Sequence, residues 1–303
     1  MKKSIYLLLI ALGISSTATA QLTRDSKMML DELQDSLIKV GEVMVNDTNT
    51  GKRVDALHKF IPLMTRALKI EGSFYYSFDS LQSISHLFAP DSSFKILTWQ
   101  LYLGKGINRY YGTVQMKGDK LKMFPLFDTS DTMEYHNQTI LNKDSWYGAL
   151  YYKILKNYAQ GKYYYTLLGY DAGDLFCDRK IIDVLWFQDG YPMFGAPLFK
   201  FKNAEGKTDI KNRIFIDYKF DALASLGYDT SQQMIIYDHT APTDSIELGL
   251  TFSYVPDGTY EGFKFENGFW NWIEKVFTFA INENDHPPLP RPLFDKTKDE
   301  RFK

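Results

Sequence analysis

Cysteine is almost absent from this chain of 303 residues, which contains only Cys177. A single thiol excludes a disulfide within the chain, so burial of apolar surface has to stabilise the fold. A chain of this length can bury a large enough core for that purpose. A lone thiol is more often an inert, partly buried side chain than a nucleophile, so Cys177 alone does not indicate thiol chemistry.

An excess of one charge is also missing. The chain has 35 Lys and Arg residues against 37 Asp and Glu residues, and the two signs are mixed along it. Nucleic acid binding uses a basic face that neutralises phosphates. The sequence therefore predicts no nucleic acid partner.

Long apolar runs are missing as well, apart from a short one near the start. The segment Tyr6–Ile14 follows two lysines and is shorter than the roughly 20 apolar residues that span a bilayer. The small residues that end at Ala20 match a signal-peptidase site. We predict a signal peptide over residues 1–20, cleaved between Ala20 and Gln21. The mature chain is then expected to be periplasmic or secreted, without a membrane span.

The common motifs for metals, nucleotides and covalent catalysis do not occur. The five histidines form no H-E-x-x-H pattern, and the chain has no G-x-S-x-G elbow, no G-x-G-x-x-G loop and no P-loop. The motifs therefore predict no zinc-peptidase site and no cofactor.

Two helices are predicted near the start of the mature chain. Leucines and other apolar residues recur every three or four positions between Arg24 and Val45, as on one face of a helix. A second apolar stripe runs through Lys52–Lys69, where Pro62 should kink or split the helix. We expect residues 21–72 to form a helical hairpin.

Strand signals dominate from Phe94 onward. About ten runs rich in aromatic and aliphatic residues alternate with short turns that contain Gly, Asn, Asp or Lys. Short links favour antiparallel pairing. We predict a mainly β (α+β) protein, in which residues 73–281 form an antiparallel sheet, sandwich or barrel-like domain. Within this domain, Ser80–Phe88 is predicted as a short helix and Leu248–Tyr254 as a strand. After the domain, the Pro-rich residues 282–303 are predicted to form an extended tail.

An acidic connection between two strand-like runs is the first candidate site. It holds Asp171, Asp174 and Asp178, and Asp183 follows in the next run. Carboxylates around a glycine-containing loop can surround a hard cation, although the spacing differs from that of a calcium loop. The alternative is a solvated turn in which the carboxylates accept hydrogen bonds from backbone N–H groups.

A second set of candidates lies toward the end of the β region. Asp257 and Glu261 are a candidate carboxylate pair of the kind that hydrolyses glycosides, although Asp257-Gly258 also fits a simple hairpin turn. Asp238 and His239 end another strand and are further ligand candidates.

Trp270 and Trp272 are two residues apart, so on a strand they share one face. They are either a surface for stacking a ligand or part of the core.

Five segments of the β region carry a resemblance to known sequences: Tyr164–Asp171, Arg179–Leu185, Pro192–Gly195, Met234–His239 and Tyr260–Phe263. Over most of residues 94–270 the chain resembles an uncharacterised family of exported, β-rich proteins of Bacteroidota-type bacteria. It implies a shared fold and export, and it brings no activity with it.

Two functions remain open on the sequence. The first is an envelope or secreted binding or scaffold protein that holds a polymer, peptide or protein on an aromatic-rich β surface, since aromatic residues make up 16% of the chain. The second is a hydrolase of envelope or extracellular polymers, with Asp171, Asp174, Asp183, Asp238 and Asp257 as its candidate acids. The oligomeric state is not indicated.

Overall fold

The computed structural model describes residues 22–118, 120–132, 137–202 and 206–277. The predicted signal peptide with its cleavage site at Ala20 and Gln21 lies outside these described residues, as does the predicted Pro-rich tail.

The helical hairpin is confirmed. Helix α1 spans Arg24–Asn46 and is capped by the Thr23 side chain, and helix α2 spans Thr50–Leu68 and is capped by Asn49. A polar side chain at this position accepts a hydrogen bond from an otherwise unpaired N–H group. Pro62 does not split α2, where it lies on the exposed side of one uninterrupted helix. Neither these helices nor any other described helix is long and apolar enough to cross a membrane.

Sixteen strands follow within the described residues. In chain order they are β1 Ser85–Phe88, β2 Phe94–Gly104, β3 Ile107–Met116, β4 Met123–Phe127, β5 Leu141–Asn142, β6 Leu150–Ala159, β7 Lys162–Asp171, β8 Cys177–Gln188, β9 Tyr191–Phe194, β10 Phe199–Lys202, β11 Thr208–Lys211, β12 Ile214–Lys219, β13 Leu226–Asp229, β14 Met234–Pro242, β15 Tyr254–Glu266 and β16 Phe269–Ile273.

The strands form three sheets. Sheet I has the order β1-β2-β3-β4, sheet II the order β5-β9-β8-β7-β6 with β12 also paired to β8, and sheet III the order β11-β10-β16-β15-β14-β13. All strand pairs are antiparallel except β10 with β16. The mainly β, antiparallel prediction is thus confirmed.

Three apolar cores separate four layers. The helices pack on sheet I through residues such as Phe60 and Leu97. The other face of sheet I packs on sheet II, where Ile96 and Ile181 belong to one core, and the far face of sheet II packs on sheet III. The alternation of β8 explains this arrangement, because successive side chains point to opposite faces and fill two cores. Each fully buried large apolar side chain contributes about 1.5–3 kcal/mol.

Lys95 of β2 links sheet I to the segment that follows α2. Its ammonium donates to the carbonyl oxygens of Ser73 (2.7 Å) and Tyr76 (3.1 Å) and lies 5.0 Å from the ring centre of Phe78. Burial lowers the pKa of this ammonium to about 7.

Three local predictions are wrong. The end of the predicted helix Ser80–Phe88 is instead strand β1, because pairing with β2 satisfies its backbone. The predicted strand Leu248–Tyr254 contains a short 3-10 turn at Thr251–Ser253. Asp257-Gly258 is not a hairpin turn between strands, since both residues lie within β15.

Candidate functional site

Two adjoining hollows beside β12 form the candidate site, which we call the junction cleft. The smaller hollow, about 220 Å³, is bordered by Tyr110, Tyr147, Asp171, Asp174 and Arg179. The larger, about 510 Å³, is bordered by Tyr237, Asp238, His239 and Glu261. Asp217 of β12 and Thr251 border both hollows, so the cleft runs from sheet II toward sheet III.

Asp171 is the buried anchor of the smaller hollow, with an exposed fraction of 7%. Its carboxylate accepts hydrogen bonds from the hydroxyls of Tyr110 (3.0 Å) and Tyr147 (2.6 Å) and from the N–H of Gly173 (3.0 Å). Burial, and then the charge of Asp171, raise the pKa of both tyrosines, so each keeps its proton and donates. Three donors fix this carboxylate in place.

Arg179 extends this network to β12. Its Nη1 donates to the hydroxyl of Tyr147 at 2.6 Å, its Nε donates to Asp217, and its guanidinium lies 4.6 Å from the ring centre of Phe215. Burial acts to lower the pKa of Arg179, but Tyr147 and Asp217 outweigh it and the pKa is raised. A continuous chain of hydrogen bonds therefore joins Asp217, Arg179, Tyr147, Asp171 and Tyr110.

The other acids of the β7–β8 connection have local roles. Asp174 accepts hydrogen bonds from the N–H groups of Phe176 (2.7 Å) and Cys177 (3.0 Å), as in the capped turn that the sequence offered as an alternative. Burial raises the pKa of Asp178 and that of the Cys177 thiol, which therefore lacks the thiolate character of a nucleophile. Within the described residues, no three His, Cys, Asp or Glu side chains are grouped so that they can hold a metal ion.

Asp183 lies in the core between sheets I and II. It is fully buried and accepts a hydrogen bond from Nε of Arg213, also fully buried, at 3.1 Å. The N–H of Val184 (2.8 Å) and the hydroxyl of Tyr151 (3.3 Å) complete its contacts. Asp183 borders neither hollow, so the structure gives it a structural role.

His239 lies between two of the predicted acids. The register of β14 and β15 shifts between the pairs Asp238–Tyr260 and Thr240–Pro256, which places His239 opposite the segment that begins at Asp257. Its Nδ1 is 2.7 Å from Asp257 Oδ2, and its Nε2 is 3.8 Å from Glu261 Oε1.

The two acids beside His239 are held by other donors. Burial acts to raise the pKa of Asp257, but hydrogen bonds from Thr259 and His239 outweigh it and lower the pKa. Glu261 Oε2 accepts from the hydroxyl of Tyr237 (2.7 Å) and from Nε1 of Trp272 (3.1 Å). Both acids are thus fixed as acceptors around one imidazole.

The remaining candidates divide between cleft and core. Asp238 borders the larger hollow and accepts from the N–H (2.6 Å) and hydroxyl (2.8 Å) of Ser225. Trp270 is only 1% exposed and donates to Thr166 Oγ1 at 2.9 Å, so its interpretation as a surface residue is wrong. Trp272 is half-buried beside the same core, as expected for residues that share a face.

The sequence did not reveal four residues of the cleft: Tyr110, Tyr147, Arg179 and Asp217. Arg179 and Asp217 are 38 positions apart and meet only because β12 pairs with β8 in the register that places them opposite each other. No motif signals such a pair, because it depends on the sheet topology.

Comparison of the chain with protein-family models, with curated proteins and with solved structures found no match. The resemblance to the exported Bacteroidota-type family stays a prediction.

Proposed function

We propose that the protein is exported and binds an oligosaccharide segment of an envelope or extracellular glycan in the junction cleft. The observation that carries this proposal is the chain of hydrogen bonds from Asp217 to Tyr110, which fixes charged and hydroxyl groups along one side of the cleft. Fixed polar groups bind without the entropic cost of ordering flexible side chains.

The chemistry of the cleft suits a ligand rich in hydroxyl groups. Carboxylates accept from sugar hydroxyls, and Arg179 has Nη2 left over after its described hydrogen bonds through Nε and Nη1. The rings of Phe215 and Tyr254, which are only partly buried, border the larger hollow and offer apolar surface beside these groups. A peptide or protein ligand is the alternative outcome of the test below.

We expect Tyr147→Phe to weaken glycan binding about tenfold, because it removes the hydroxyl that joins Arg179 to Asp171. The matched control is Tyr158→Phe, at an exposed tyrosine of the β6–β7 hairpin. Residues 21–303 of each protein are screened on a glycan array, and affinities for retained glycans are measured by calorimetry.

Equal weakening by Tyr158→Phe would contradict the proposed place of binding. Retention of a peptide library instead of any glycan would contradict the ligand class. Urea unfolding of both variants separates loss of binding from loss of the fold.

Hydrolysis of the bound glycan is a second candidate function, favoured by the position of His239 between Asp257 and Glu261. A pair of carboxylates acting alone needs one of them protonated. The lowered pKa of Asp257 opposes protonation of that acid. His239, oriented by Asp257, is therefore the general base of this candidate.

For this candidate, His239→Gln is expected to lower the rate of glycan cleavage by about 10²–10⁴-fold, the usual contribution of a general base. The control is His58→Gln on the exposed side of α2. New reducing ends are counted after incubation with glycans retained on the array. If none form, or if both variants cleave alike, hydrolysis by His239 is rejected.

A further inference from the structure

A second cavity lies between α2 and sheet I, and we call it the helix cavity. Its volume is about 420 Å³. About fourteen water molecules fill that volume in the liquid. Met64 and Leu68 of α2 form one wall, and Trp99, Tyr111 and Met123 of sheet I form the other. Cavities of about 300–1,000 Å³ with such linings commonly hold small molecules.

One buried donor of the helix cavity is left without a described acceptor, and a second donor lies at the polar end of the cavity. Trp99 is 5% exposed, and its indole N–H, although buried, has no hydrogen-bond partner among the described residues. Arg109, at the polar end of the cavity, has one described partner, Asp131, which Nη1 meets at 2.5 Å. A buried donor without an acceptor costs about 1–3 kcal/mol, so a ligand that accepts from it gains affinity.

The charges at this end argue against an anionic ligand. Asp128 and Asp131 lie there with the single guanidinium of Arg109. Asp128 is already saturated by the N–H groups of Tyr110 (3.0 Å) and Gly148 (3.2 Å) and by Ser130. A carboxylate would add a third negative charge, whereas a neutral hydroxyl or carbonyl adds none.

We propose that the helix cavity binds a neutral small molecule with an apolar body and one end that accepts hydrogen bonds. The apolar body lies between α2 and sheet I, and the accepting end takes hydrogen bonds from Trp99 and Arg109. Phe127 at the rim is 56% exposed, which gives the ligand an apolar entrance. The proposal does not rest on a glycan in the junction cleft, although Tyr110 borders both the helix cavity and the smaller hollow.

The test uses octanol as a neutral probe and octanoate as its anionic counterpart. The indole N–H resonance of Trp99 is followed in proton–nitrogen correlation spectra of residues 21–303 and is assigned by its loss in Trp99→Phe. We expect octanol to shift this resonance saturably and to bind at least several times more tightly than octanoate. Thr65→Phe fills the cavity from α2 and is expected to abolish the shift, whereas Lys59→Phe, on the exposed side of α2, retains it.

Arg109→Met does not fill the cavity, and it is the second test variant if Thr65→Phe does not fold. It is expected to weaken octanol binding about tenfold, because a charged donor is lost. No saturable shift with octanol, an equal shift in Thr65→Phe, or undiminished affinity in Arg109→Met overturns the site. Tighter binding of octanoate overturns the neutral ligand class.

Discussion

Replacing Arg213 with methionine is expected to lower the free energy of unfolding by about 3–5 kcal/mol. The substitution leaves the Asp183 carboxylate buried between sheets I and II without its cationic partner. The N–H of Val184 and the hydroxyl of Tyr151 remain as donors, but neither supplies a positive charge. Urea unfolding of the variant and of the unaltered protein measures the difference.

The double variant Asp183→Leu with Arg213→Met is the control for this result. It removes both charges and keeps apolar volume, so we expect it to recover most of the lost stability. A loss below about 1 kcal/mol in Arg213→Met, a value typical of exposed ion pairs, would show that Asp183 is hydrated and not enclosed in the core.

The second large effect is expected for Trp270→Ala, which should lower the free energy of unfolding by about 3–5 kcal/mol. The side chain fills the core between sheets II and III, packs its ring 5.1 Å from that of Phe265 and donates to Thr166. Removing it leaves a cavity and removes one hydrogen bond of Thr166, whose hydroxyl still donates to Asn157. The same urea titration measures the loss.

Trp272→Ala is the matched control, two residues along the same strand. Trp272 is half-buried, so its removal exposes existing surface to water and should cost less than half as much. Two results would contradict the burial of Trp270 in the core. One is an equal loss of unfolding free energy at the two positions, and the other is loss of glycan binding in a Trp270→Ala protein of unchanged stability.

The helical hairpin was predictable from local periodicity. Leu30, Leu33 and Leu37 repeat at helical spacing, and the same residues are buried against sheet I. The aromatic and aliphatic runs likewise indicated strands, because a half-buried strand needs little more than alternating apolar side chains. The local pattern gave a wrong prediction at Ser85–Phe88, because pairing with β2 outweighs the local preference for a helix.

The candidate site was less predictable, since its geometry depends on contacts between distant segments. Asp171 and His239 were recognised as candidates because acids and histidines beside turns are visible in a sequence. Burial of the Asp183 charge was not visible, because its partner Arg213 is 30 positions away and both lie inside a core. The link from Arg179 to Asp217 was hidden for the same reason.

Hydrogen exchange is the most direct test of the proposed binding in the junction cleft. It is measured with and without the glycan that the array retains most strongly. We expect slower exchange in β12, in the Asp171–Cys177 connection and around His239 when the glycan is present. Peptides from the β6–β7 hairpin, which displays the exposed pair Tyr158 and Tyr163, should not change. Protection confined to that hairpin, with none in β12, would contradict the account.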